Sequence, residues 1–128
     1  MKDLTETKSF CLMPWTHLQV RPNGRVYSCC LADETNPLGN FREQSLAEIW
    51  NSPKMKELRQ EMMAGGAPKQ CNYCYGLERD NGGSFRKYAN GMFKHHYEPM
   101  LAATDAGGHC EKVNIAYVDF RFSNLCNF

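Results

Sequence analysis

"CLMPWTHLQVRPNGRVYSCC", residues 11–30, decides how the rest of this chain is read. Two short β-prone runs, "THLQV" and "RVYSC", flank "RPNG", and Asn23-Gly24 can take the positive φ values of a tight turn. The stretch predicts a β-hairpin with Cys11 and Cys29 as neighbours at its mouth. Thiols so placed can form a disulfide, a zinc knuckle or half of an iron–sulfur site. Adjacent residues in a strand face opposite sides, so Cys29 and Cys30 are not expected to reach the same metal. Cys29 is the expected ligand, with Cys30 as its alternative or as a plain buried thiol.

Composition narrows the choice. The chain has 128 residues, enough for one modest domain, and a formal charge of +1 with acids and bases interleaved. No strong field directs it to nucleic acid or to an anionic membrane. "MKDLTETKSF" lacks an apolar secretory core, and no apolar run approaches the roughly 20 residues of a membrane span, so a cytoplasmic location is expected. Seven cysteines make up about 5% of the chain, short of a small disulfide scaffold, and the count is odd. In a reducing compartment, clustered thiols more often bind metal or do redox chemistry.

An α+β organisation follows from the remaining segments. Ser45 with Glu48 forms a capping-box signature that opens a short helix through about Trp50. Ser52-Pro53 starts a second helix, with Met55, Leu58 and Met62 as one apolar stripe for the core and Gly65-Gly66 as its end. A loop with Cys71 and Cys74 comes next, then a helix from about Ser84, and then a linker at residues 98–111. Val113, Ile115, Tyr117, Val118, Phe120 and Phe122 form a nearly continuous apolar strand, the pattern of a parallel sheet buried on both faces. Such a strand calls for crossover helices after it, so residues 112–128 are expected to be the truncated start of a second domain, present only as an isolated first strand.

Cys71-Asn-Tyr-Cys74 is a C-x-x-C pair, whose thiolates can point at one metal. A thioredoxin-like redox pair needs a preceding strand in a βαβ unit, and "APKQ" does not supply one. Cys11, Cys29, Cys71 and Cys74 together make four thiols, the number that closes either a zinc site or a 4Fe–4S cluster. Thiolate chemistry alone does not separate these two. His17 could face the centre or be a satisfied strand histidine; His95, His96 and His109 read as surface or linker residues, and Cys110 as a stray thiol. Trp15, Tyr27, Tyr73 and Tyr75 flank the proposed ligands and could limit solvent access. Arg21, Arg25 and Lys69 could offset a thiolate-ligated charge, or simply form a solvated face.

Cys11, twelve residues, Gly24, four residues, Cys29 resembles the C-x(9–15)-G-x(4)-C signature of SPASM and twitch domains, the auxiliary cluster modules of radical SAM enzymes. The likeness runs through "GNFREQSLAEIWNSPKMKELRQEM" and "CNYC", over roughly residues 10–93. It implies a twitch domain over residues 1–97, a half-length SPASM domain with one auxiliary 4Fe–4S cluster, and favours iron–sulfur over a zinc-stabilised interaction module. "VDFRFSNLCNF" resembles the first barrel strand of a radical SAM core, which implies that Cys126 begins a C-x(3)-C-x(2)-C loop. In that family the loop holds a second 4Fe–4S cluster that binds S-adenosylmethionine and cleaves it reductively to a hydrogen-abstracting radical. The implied partners are the missing barrel of the same parent chain and a reductant protein. These 128 residues are not expected to be active alone, and no catalytic residue is assigned. Placing the auxiliary module ahead of the barrel departs from the family's more common order.

Overall fold

Gly24 turns the hairpin with φ +91°, a left-handed conformation that suits glycine. A Cβ there would also lie 2.4 Å from Asn40 Oδ1. In the computed structural model, which describes residues 3–29, 35, 37–80, 82–113 and 117–120 (the last four as backbone), this turn joins β1 (His17–Val20) to β2 (Arg25–Tyr27). The two strands pair antiparallel, with Gln19 opposite Tyr27 and Val20 opposite Val26. A single helical turn, α1 (Met13–Thr16), leads into β1 with Pro14 near its start, where a missing N–H costs no hydrogen bond. β3 (Gly39–Asn40) adds antiparallel to the far side of β2.

The helices begin where their caps direct. Ser45 and Glu48 complete a reciprocal capping box on α2 (Leu46–Trp50). Ser52 Oγ accepts the Met55 N–H to start α3 (Pro53–Met63), whose Met55, Leu58 and Met62 are all buried. α4 (Asn72–Arg79) and α5 (Phe85–Met92) follow, α5 capped by Ser84. The core forms where α1, β1, α3 and the later helices meet. Phe10 stacks on Trp15 at 5.1 Å between ring centres and meets Tyr97 edge-on at 5.7 Å. Helices packed with a small sheet give the α+β class that the sequence implies.

Two expectations are corrected here. Residues 98–111 are not an open linker: α6 (Tyr97–Ala102) lies in this stretch, and Met100 and Cys110 are buried. Asn51 holds the stretch in place, its Nδ2 donating to the Cys110 carbonyl and its Oδ1 accepting the Cys110 N–H, both at 2.9 Å. Trp50 Nε1 donates to the Lys112 carbonyl at 2.9 Å. Nor is the last strand isolated. β4 (Tyr117–Phe120) pairs in parallel with β1, His17 opposite Tyr117 through Val20 opposite Phe120, in the sheet order β3-β2-β1-β4. The open edge of β1 presents main-chain groups that a further strand satisfies, and a parallel partner requires a long connection. The helical body between the two strands is that connection.

Arg59 lies wholly buried at the centre of this packing. Its Nε donates to the Pro14 carbonyl at 3.0 Å, and its Nη1 to Asn51 Oδ1 and the Gly108 carbonyl at 2.9 and 3.0 Å. The guanidinium lies 4.7 Å from the Trp50 ring centre. Burial lowers its pKa to about 10, which leaves it a cation at neutral pH.

Gly108 permits the close approach of this segment to α3. Its φ is +86°, and a Cβ there would stand 2.2 Å from the Lys56 carbonyl oxygen. Gly108→Ala is expected to cost about 3 kcal/mol in urea denaturation, through backbone strain together with a clash against main chain. Gly107→Ala, whose Cβ would meet only Asp105 Oδ1 at 3.3 Å, should cost far less. Equal losses from the two variants would contradict this account of the contact.

Candidate metal centre

Cys11, Cys29, Cys71 and Cys74 line one cavity of about 30 Å³. They arrive from three separate segments. Cys11 precedes α1, Cys29 follows β2, and Cys71 and Cys74 stand at the N-cap and in the first turn of α4. Met13, Met62 and Phe85 supply apolar lining, and Arg86 adds a buried cation. Gln70 also lines the cavity, and its Oε1 is buried without a hydrogen-bond partner among the described residues. A buried amide left so calls for a further polar or charged group beside it.

Cys11 is the most firmly placed of the four, because side chains hold the main chain on both sides of it. Tyr75 Oη donates to the Ser9 carbonyl at 2.7 Å. Arg86 Nη1 and Asn90 Nδ2 both donate to the Phe10 carbonyl, at 2.8 and 2.9 Å. Asn90 Oδ1 accepts the Leu12 N–H at 2.8 Å. Arg86 is itself fixed by Glu78, whose carboxylate receives both Nε and Nη2 of the guanidinium and also the Ser84 hydroxyl. The hydrogen bond from Arg86 is the largest influence holding the Glu78 carboxyl below its usual range, and the same bond raises the Arg86 pKa. This two-pronged pair keeps the guanidinium pointed at the cysteine loop.

Burial pushes the thiols of Cys11 and Cys71 up to about 12. Cys74 raises both further by charge, and Cys11 also raises Cys71, as expected of sulfurs around one small space. Without metal these two thiols stay protonated at neutral pH, so a metal must displace their protons to bind. An alkaline effect follows for the metal-free chain. Unfolded thiols ionise near 9 and the folded ones near 12, so their contribution to stability is complete below pH 9 and is lost as pH rises toward 12. The loss should be on the order of 1 kcal/mol per thiol by about pH 10, read from urea midpoints. A double Cys11→Ser, Cys71→Ser variant should lack this fall; the same fall in that variant would exclude the thiols as its cause.

The remaining sequence candidates lie elsewhere. His17 is buried in β1, and neither it nor Arg21, Arg25 or Lys69 is among the residues lining the cavity. Trp15 belongs to the core and donates to Thr104 Oγ1 at 2.9 Å, Tyr27 is buried, and Tyr73 is exposed. Cys110 is a core thiol near the Met100 and Lys112 carbonyls, and His95 and His109 are exposed. Cys30 and Cys126 fall outside the described residues. Among the described residues, no three of His, Cys, Asp and Glu form a group fit for a single metal ion. No described helix is long and apolar enough to cross a membrane. Arg86, Asn90 and Gln70 carried no signal in the sequence, since each acquires its role only through distant partners.

The donor set suits an iron–sulfur group in chemistry. Cys29 and Cys71 are partly buried, whereas Cys11 and Cys74 are buried. A family model described as an iron–sulfur cluster-binding domain, SPASM, matches residues 11–75. No curated protein and no solved structure matches the chain. The family match covers more than half of the 128 residues and encloses all four cavity cysteines, so the chain belongs to the SPASM family of iron–sulfur cluster-binding domains.

Proposed function

We propose that Cys11, Cys29, Cys71 and Cys74 hold one 4Fe–4S cluster, as the auxiliary centre of a twitch-type module at the N-terminal side of a radical SAM protein. One observation carries this reading: four thiols from three separate segments line a single cavity inside the span of the family match. When bound, the cluster supplies an electron carrier whose potential depends on ligation, hydrogen bonds and exposure. The chain's own residues prepare that environment. Tyr75, Arg86 and Asn90 fix the Cys11 loop, and Met13, Met62 and Phe85 limit water. Arg86 offsets part of the negative charge, and Gln70 is placed to turn its amide toward sulfur.

In the parent protein, Cys126 would open the core motif, and cleavage of S-adenosylmethionine would belong to the barrel. The auxiliary cluster would then relay an electron or help hold the substrate, with a reductant protein as partner. Anaerobic purification followed by iron, sulfide and zinc analysis tests the cluster directly. Iron and acid-labile sulfide in equal amounts, about four of each per chain, with broad visible absorption are the expected result. A colourless protein with about one zinc per chain would overturn it in favour of a zinc-stabilised interaction module.

A further inference from the structure

A groove of about 940 Å³ runs between residues 5–9 and the paired helices α4 and α5. Its walls carry Lys8, Arg79, Lys87 and Lys94, all exposed. Lys8, Arg79 and Lys87 make no ion pair among the described residues, and Lys94 approaches only Asp3, at 3.9 Å. Arg86 and Glu78 also line the groove but neutralise each other. Asp3 beside Lys94 and Glu6 in the lining are then the two carboxylates set against four cations. The groove is therefore basic on balance, in a chain whose formal charge is only +1. Asn72, exposed on the same wall, has a side-chain amide with no hydrogen bond among the described residues.

We propose that this groove binds an extended, acidic segment of polypeptide. Two features favour a chain over a compact anion. The cations are distributed rather than convergent: Lys8 lies in the N-terminal segment, Arg79 ends α4, Lys87 stands on α5 and Lys94 lies beyond the end of α5. Carboxylates spaced along an extended chain can meet such a spread of cations in turn, whereas a compact anion cannot. The volume lies at the upper end for a small-molecule site, and the unpartnered Asn72 amide can pair with a peptide main chain. Arg86 lines both this groove and the cysteine cavity, so a bound segment would lie one side chain away from the thiols.

The site is independent of the cluster assignment, and the two fail separately, since iron content reads one and peptide binding reads the other. The test is fluorescence anisotropy of the full, anaerobically prepared chain with a labelled peptide of about ten residues alternating Glu and Ser. Binding should weaken at least about tenfold in Arg79→Glu and Lys87→Glu, and steeply with salt, while Lys54→Glu on α3 leaves it unchanged. Iron content should remain at the wild-type value in all three variants. Equal binding of a Lys-for-Glu peptide, displacement by tripolyphosphate at matching charge concentration, or indifference to the groove variants would each overturn the proposal. So would tight binding of a folded acidic protein by a chain that ignores the peptide.

Discussion

Cys11→Ser and Cys74→Ser should each lower the iron retained after anaerobic reconstitution at least tenfold, with parallel loss of visible absorption. The sulfurs of both residues face a cavity with an apolar lining, and Cys11 is held by hydrogen bonds on either side of it. A serine hydroxyl in that place loses its proton far less readily than a thiol and is a harder donor for iron. Among the described residues a displaced ligand has no ready substitute, because no histidine lines the cavity. Even the loss of outer-sphere partners lowers metal affinity tenfold to about a hundredfold, and a direct ligand should cost more. Cys110→Ser is the control: that thiol lies in the core near the Met100 and Lys112 carbonyls, so iron content should hold. Full iron in Cys11→Ser, or its loss in Cys110→Ser, would reassign the ligands.

Arg86→Met should destabilise the protein by about 3 kcal/mol, a larger effect than any exposed substitution nearby. The guanidinium serves the Glu78 carboxylate and the carbonyls of Thr7 and Phe10 together, with 5% of its side chain exposed. Its removal strands a mostly buried carboxylate and deprives two carbonyls of a donor, and such losses exceed the value of the pair itself. Glu78→Gln keeps a partner for Arg86 and should cost less, about 1 to 2 kcal/mol. Urea midpoints measure both variants, with Lys87→Met as the neutral comparison. The loosened Cys11 loop should also lower iron retention in Arg86→Met, although all four cysteines remain. Wild-type stability and iron content in Arg86→Met would show that the ion pair does not position the loop.

Local signals in the sequence translated directly into structure. The hairpin rested on Gly24, the start of α2 on Ser45 and Glu48, and the α3 core face on Met55, Leu58 and Met62. Each depends on residues within one or two turns of each other. What stayed hidden depends on distance along the chain. Arg86 reaches Phe10 across 76 residues, Asn90 reaches Leu12 across 78, and Asn51 holds Cys110 across 59. No periodicity or spacing records such pairings, so Arg21, Arg25 and Lys69, neighbours of the cysteines in sequence, were the apparent cations. Of the apolar run at the end, Tyr117–Phe120 was legible as a parallel-type strand, whereas Val113 is exposed and outside it; the partner β1 was not legible, because the strand pattern names no neighbour. The stretch before it looked like a linker because its glycines and small residues are plain in the sequence, whereas the burial of Met100 and Cys110 is not.

Anomalous diffraction at the iron absorption edge, from crystals of the full chain grown without oxygen, tests the central claim most directly. The account predicts one compact iron peak in the cavity between the start of α4 and the hairpin mouth, within bonding distance of the sulfurs of Cys11, Cys29, Cys71 and Cys74. Iron located elsewhere, or a peak that any of these four sulfurs does not reach, would contradict it.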